Sequence, residues 1–426
     1  MLGVKASLFR RILSLKPIVP AIIIWFQLFI FFQVFLPYIK ASNCNFDTQQ
    51  ENPYNILLIA DPQLIDNHTY PDRGPLGLAI SQFTVDNYIR TNFGFLMRRL
   101  KPDTVIFLGD LQDNARDSND EYFQDGSKRF NTIFPLEKYE SEVIYSIPGN
   151  HDIGWANGVQ YDRLTRFEEA YGKTNTMLTR NNHELIFLDT ISLSNTEDER
   201  VGKSSREFLE ELSKKPKQST RIMFHHVPLA RDPKIQTCGP KRESSNPFPL
   251  SKGYQYQTII DGQISKQVLE KVKPDLIFSG DDHDYCEVIH HYGDDHKQAI
   301  EVNVKSISMA MGIWKPAVEL LTLYDHGGDS ISVNGEIVKS PTFAYSMCYL
   351  PTPYQDIIFY VIFAVINGLY LIWICYNRTS KYVGFMEAEI EGNRITDHLS
   401  KIDCLLLMKY VIFECLAISV IYFLLL

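Results

Sequence analysis

An α/β domain held between membrane-spanning helices is the fold class that the sequence predicts. Uncharged apolar runs stand near both ends of the chain. Between them, short runs rich in Ile, Val, Leu and Phe recur, each closing on a cluster of Asp, Asn or His. Four or five continuous apolar residues suit strands buried on both faces. Helical stretches intervene, at Ser81–Leu100 and Ser204–Ser213 for example, which puts helices over a central sheet core.

The amino-terminal run covers residues 18–36, 19 residues without a charge. At about 1.5 Å per residue it crosses a hydrocarbon core of about 30 Å. Lys5, Arg10, Arg11 and Lys16 precede it without an acid. The positive-inside rule therefore leaves residues 1–17 cytosolic and translocates the chain beyond residue 36. The run exceeds the 7–15 apolar residues of a usual signal peptide, and it lacks a clear small-x-small site after it, so a retained anchor is expected. Residues 357–376 form a second uncharged run, of 20. Residues 404–426 form a third, interrupted by Lys409 and Glu414. Lys409 can snorkel to the interface, whereas Glu414 is costly unless it finds a partner. The expected order is a luminal domain at 42–350, two further spans, and a cytosolic loop at 377–403. Asn67-His68-Thr69 is then a luminal glycosylation sequon and predicts a glycoprotein. Asn377-Arg378-Thr379 falls on the cytosolic side. Cys44, Cys238, Cys286 and Cys348 lie where oxidation is permitted, and four cysteines allow three pairings.

The chain has 426 residues, 45% of them hydrophobic and 22% charged, which is a folded composition. Its formal charge of −9 argues against nucleic acid as a partner. Within the middle, the strand candidates are 55–61, 103–110, 142–152, 183–189, 221–228 and 275–283. From Gln298 onward, sequential strands of a mostly antiparallel completion are expected. Residues 229–262 read as a long loop with five cations against three acids, an excess that could attract a phosphate. His290, His291 and His296 read as an exposed hairpin.

In α/β folds ligands sit beyond the carboxyl ends of strands. That is where Asp61-Pro62-Gln63, Gly109-Asp110-Leu111-Gln112-Asp113, Gly149-Asn150-His151-Asp152, His225-His226-Val227-Pro228 and Gly280-Asp281-Asp282-His283 fall. Oxygen and nitrogen donors at five strand ends suit a pair of cations. Two cations about 3.5–4 Å apart clamp the attacking and leaving oxygens of an in-line phosphoryl displacement.

On these motifs the chain resembles the calcineurin-like metallophosphoesterases over roughly residues 55–325. The resemblance implies a four-layer α-β-β-α sandwich and a site for two divalent metal ions. Asp110 bridges the pair; Asp61, Gln63 and His283 complete one ion; Asn150, His226 and Asp281 complete the other. His226 is preferred to His225 because it stands two before the proline. Gln63 and Asp281 replace the usual histidines, and oxygen donors favour Mn²⁺ or Mg²⁺ over Zn²⁺; Mn²⁺ is the expectation. Asp281, Asp282 and Asp284 are all expected beside the cations. His151 is the candidate acid for the leaving group or stabiliser of the phosphate charge, with Asp152 or Asp113 orienting it. Trp155, Tyr254 and Tyr256 are candidates to face an ammonium group. The segment Leu64–Gly77, with Asp66, His68 and Asp72, is a possible border of the site.

The wording ADPQL, GDLQD, PGNHD and SGDDHDYCE, with GYQYQ at 253–257 and VKSISM at 304–309, is similar to a narrower group. Its members remodel glycosylphosphatidylinositol (GPI) anchors and include the fungal Ted and Cdc proteins and a mammalian post-attachment phosphoesterase. That resemblance implies removal of an ethanolamine-phosphate branch from a mannose, with manganese, in the endoplasmic reticulum or Golgi membrane. The implied partners are GPI-anchored proteins or GPI glycolipid as substrate, membrane lipids, and cargo receptors. Two alternatives keep parts of this reading: a phosphodiesterase on another lipid or a nucleotide, and a non-catalytic adaptor for GPI-linked cargo.

Overall fold

A computed structural model describes residues 15–48, 51–294, 297–325, 331–333, 336–338, 342–387 and 404–425. The chain divides into two compact units, Met1–Pro37 with Pro353–Leu426, and Tyr38–Thr352.

Strands β1 (Tyr54–Ile59), β2 (Thr104–Phe107) and β3 (Glu142–Ile144) lie parallel in one sheet of the Tyr38–Thr352 unit. In the other sheet, β4 (Thr176–Arg180) pairs antiparallel with β5 (His183–Phe187), which runs parallel to β6 (Thr220–Phe224). A short hairpin of β7 (Lys252–Gly253) and β8 (Tyr256–Gln257) interrupts the long loop. The second sheet continues with β9 (Leu276–Ser279), β10 (Cys286–Tyr292) and β11 (Lys297–Asn303). The first is completed by β12 (Ala317–Leu323) and, after a small hairpin of β13 (Ile331–Val333) and β14 (Glu336–Val338), by β15 (Phe343–Tyr349). The orders are β15-β12-β1-β2-β3 and β10-β11-β9-β6-β5-β4.

Strand alternation explains the layers. Ile56 and Leu58 of β1 pack with Phe187, Phe224 and Phe278 of the other sheet in the space between. Leu57 and Ile59 face outward into helices Pro75–Leu100 and Asp120–Ile133. Ile186, Met223 and Ile277 do the same toward helices Glu199–Lys214 and Gly262–Val272. Both faces of each central strand are buried, which is why the runs are continuously apolar. The result is an α-β-β-α sandwich with mixed sheets.

Several expectations change. Helices begin earlier than predicted, at Pro75, where proline suits a first turn, and at Glu199, one residue after its Asp198 cap. β12 and β15 complete the first sheet antiparallel, but β11 runs parallel to β9, because it enters from the β10 hairpin. His290 lies on that hairpin yet is buried, held by Glu301 at 2.6 Å. His296 lies outside the described residues. The disulfides are Cys44–Cys348 and Cys238–Cys286.

Among the described residues, three helices are long and apolar enough to cross a membrane: Lys16–Ser42, Pro353–Asn377 and Cys404–Leu424. The first is longer than the predicted 18–36. A π-turn at Phe31–Phe35 precedes Pro37, which has no N–H to give the preceding turn. Glu414 finds a partner in Asn367, whose Nδ2 donates to it at 2.8 Å. Residues 1–14, and 388–403 of the predicted cytosolic loop, lie outside the described residues.

Candidate metal centre

The strand ends of both sheets converge where Ala60 bridges Ser306. There the chain turns sharply. Asp61, Gln63, Asp110, Asp281 and His283 all have positive φ, between 34° and 67°. Each left-handed residue costs roughly 1 kcal/mol or more, and such strain concentrates at functional sites. The turn folds the side chains back over the strand ends. The adjacent glycines make room for this. A Cβ on Gly149 would lie 2.0 Å from Asp110 Oδ1, one on Gly109 2.5 Å from His226 Nδ1, and one on Gly280 2.9 Å from Asp61 Oδ1.

Asp61, Asp110 and His226 bring donor atoms within 4.8 Å of one another, all buried. His226 Nδ1 donates to the Leu108 carbonyl at 2.6 Å. Its Nε2 therefore faces Asp110 at 3.4 Å and Asp281 at 3.7 Å. Those distances are too long for hydrogen bonds, and a lone pair aimed at carboxylates needs a cation or a proton between them. Asp61 Oδ2, Gln63 Oε1, Asn150 Oδ1, His226 Nε2 and Asp281 Oδ2 are all buried without a hydrogen-bond partner. Groups of this kind are costly unless something satisfies them. The donor set thus fits divalent cations, with oxygen dominant. His283 stands close enough for the Asp110, His151 and His226 charges to act on it.

The electrostatics agree. Burial pushes the Asp61 carboxyl up to about 7, against the pull of His226. Burial likewise drives Asp281 well above the carboxylate range. Asp110 is held low despite burial, because His226 and His151 favour its charge. Burial lowers His226, but Asp110, Asp61 and Asp281 outweigh it and raise it. A bare site would hold protons where cations compete for the same atoms.

His151 is partly exposed beside this cluster. Its Nδ1 donates to the Asp113 carbonyl at 2.5 Å and lies 3.5 Å from Asp113 Oδ1. Gln63 Nε2 donates to Asp113 Oδ1 at 3.0 Å and lies 3.1 Å from His151 Nε2. Asp152 does something else. Its carboxylate accepts the backbone N–H groups of Leu111, Gln112 and Gly149, so it fixes the Asp110 loop instead of the His151 ring.

The structure separates the remaining candidates. Asp282 and Asp284 turn away from the cluster, to Arg242 and to Lys305 respectively. Those ion pairs account for them without cations. His225 points to Glu301, 3.5 Å away, and not to Asp110. The predicted basic loop offers less to a phosphate than its count suggests, because Arg231 is buried on Glu301 and Arg242 on Asp282. Trp155 is buried, whereas Tyr254 is 77% exposed and Tyr256 is half-buried where the Asp281 and Asp282 charges reach it. The GYQYQ stretch touches the site through Gln255, whose carbonyl accepts Asn150 Nδ2 at 3.1 Å. The VKSISM stretch does so through Ser306, whose hydroxyl donates to the Asp61 carbonyl at 2.7 Å. Of the segment Leu64–Gly77, Thr69 reaches Asp113. Sequence reasoning missed Thr69, and its place in the sequon was no signal for this contact.

The fold and these strand-end clusters define a metal-dependent phosphoesterase. The model of the calcineurin-like phosphoesterase family matches residues 54–285, and the chain belongs to that family. It is similar to cell division control protein 1 of Saccharomyces cerevisiae, with 38% identity over 80% of this chain and 70% of the yeast protein. It is also similar to metallophosphoesterase 1 of Mus musculus (24% identity, 59% of this chain and 62% of that protein) and of Rattus norvegicus (24%, 80% and 84%).

Proposed function

We propose that this protein is a membrane-anchored, two-metal phosphodiesterase that removes an ethanolamine-phosphate branch from a mannose of GPI anchors. The observation that carries the chemistry is the set of buried donor atoms without partners around Asp110. Asp61, Gln63, Asp110 and His283 would hold one ion, and Asp110, Asn150, His226 and Asp281 the other. The oxygen-rich set favours Mn²⁺. When bound, the ions supply Lewis acidity at the phosphoryl oxygens and an activated water.

The chain's own residues do the rest. As the imidazolium, His151 gives its Nε2 proton to the leaving oxygen as the P–O bond breaks and is left neutral, which matters because an alkoxide leaves poorly. Asp113 holds the ring from its Nδ1 side. Asp152 keeps the Asp110 loop in register with Gly149. Tyr256, beside Asp281 and Asp282, is suited to the ammonium of ethanolamine.

The substrate reading rests on the motif wording, the three apolar helices and the disulfides, which suit an oxidising lumen. In it the catalytic domain, residues 42–350, is luminal in the endoplasmic reticulum or Golgi, and GPI-anchored proteins or glycolipid are the partners, delivered on to cargo receptors. The test is phosphodiesterase activity of purified protein on a GPI glycan bearing ethanolamine-phosphate, with and without Mn²⁺, against Asp110→Ala. Metal-dependent release, lost in the variant, supports the reading. Turnover of only a generic diester removes the substrate and keeps the enzyme. Bound metal with no turnover of either points to an adaptor.

A further inference from the structure

We propose that Thr69, the hydroxyl residue of the Asn67-His68-Thr69 sequon, is a positioning residue for the leaving-group acid. This rests on the reading of His151 as that acid. Thr69 Oγ1 donates to Asp113 Oδ2 at 2.5 Å. It accepts the Asp66 backbone N–H at 3.2 Å. An ionised carboxylate can only accept, so the single hydroxyl proton of Thr69 is the one aimed at Asp113. Gln63 occupies Asp113 Oδ1 at 3.0 Å. Both oxygens of a carboxylate that is 1% exposed are thereby fixed; its Oδ1 lies 3.5 Å from His151 Nδ1, and the backbone carbonyl of the same residue accepts from that nitrogen at 2.5 Å.

The turn that carries Thr69 is itself braced. Asp66 accepts the His68 N–H and the Tyr122 hydroxyl, each at 2.6 Å. Arg129 donates to the Ile65 carbonyl at 2.9 Å and pairs with Asp86. Thr69 is therefore presented by a locked segment and not by a free loop. His68, Asp113 and His151 also come within 4.8 Å of one another, as a metal site would. Their hydrogen bonds argue otherwise: each Asp113 oxygen already accepts one, and His151 Nδ1 is turned to a carbonyl. His68 Nδ1 remains 3.6 Å from Asp113 Oδ2.

The same hydroxyl thus serves two purposes, one in the sequon and one in the folded site. Asn67 itself is exposed. Three variants separate the purposes. Asn67→Gln removes any glycan and keeps the hydroxyl; Thr69→Ser keeps both; Thr69→Val removes both. Each is assayed on two diesters at saturating Mn²⁺, one with an alkoxide leaving group and one with nitrophenolate, which needs no acid. Thr69→Val should lower kcat about 10-fold on the alkyl diester, leave KM unchanged, and stay within about 2-fold on the aryl diester. Thr69→Ser and Asn67→Gln should stay within about 2-fold on both. Equal loss on the two substrates, or the same loss in Asn67→Gln, overturns the proposal. His151→Ala is run in parallel. If it discriminates between the leaving groups and Thr69→Val does not, Thr69 alone is excluded. If His151→Ala does not discriminate, the acid assignment falls first.

Discussion

Two sets of buried carboxylates, Asp61 with Asp281 and Glu301 with Asp284, behave in opposite ways. Asp61 and Asp281 are raised by burial and keep oxygens without partners. Glu301 is as deeply buried, yet Arg231, His225 and His290 hold it well below the usual carboxylate range. Ser279 and the Leu229 N–H complete its shell, at 2.8 and 3.1 Å. Asp284 is likewise lowered, with burial opposed by Lys305. A carboxylate answered by an arginine or lysine of its own chain belongs to the fold. One buried beside other carboxylates with a single histidine has no such answer within the chain, a cost that a cation would relieve.

The sharpest way to break this contrast is to neutralise Asp110, the acid proposed to be shared by both ions. Asp110→Asn should cut turnover on the order of 10⁴-fold, about 5.5 kcal/mol, and weaken metal binding while the domain stays folded. Retained turnover in metal titrations would remove Asp110 from the centre. The matching change on the other side is Arg231→Leu. It strands Glu301 and should cost about 3–5 kcal/mol in denaturant unfolding, with the residual folded protein still binding metal. Metal loss without destabilisation there would erase the distinction.

Glu319 tests the intermediate case. It is fully buried on β12, its oxygens lack partners, and burial raises it to about 8, against the pull of Lys241 and with Glu287 adding to it. Its folded value lies above its unfolded value of about 4.5, so the folded state binds more protons in that window. Stability should be greatest below about pH 4.5 as far as this group is concerned, and fall as pH rises toward 8. The loss over that whole window is on the order of 5 kcal/mol. Glu319→Gln should flatten that dependence in melts at about pH 5 and about pH 8. An unchanged slope would mean that another group carries it. The smallest effect is expected from Gln63→His. It exchanges an oxygen donor for nitrogen and should shift preference toward Zn²⁺ several-fold, with stability changed by less than about 1 kcal/mol. Identical Mn²⁺ and Zn²⁺ titrations in variant and parent would place residue 63 outside the metal shell.

The strands were legible because burial on both faces leaves an unbroken apolar run, as in NILLIAD and DLIFSGDD. The three apolar helices were legible because spanning needs length and the absence of charge. The cluster around Asp110 was legible in outline because strand-end turns carry donors in order along the chain. Asp282, Asp284 and the basic loop were misread for one reason. Adjacent residues in a turn point in opposite directions, so composition cannot say which acids face the Asp110 cluster and which face Arg242 and Lys305.

Sequence alone, then, determined the local requirements of this protein: apolar runs where water is excluded, glycines where a Cβ would strike a carboxylate, and oxygen donors at strand ends. Tertiary structure decided the pairings. It chose among three cysteine connectivities, gave Glu414 its Asn367, and turned Asp152 from the histidine to the backbone. It also brought Thr69 to Asp113, 44 residues away. The physical reason is that a side chain's chemistry is fixed by its type, while its charge state and role depend on what the fold places within a few ångströms of it.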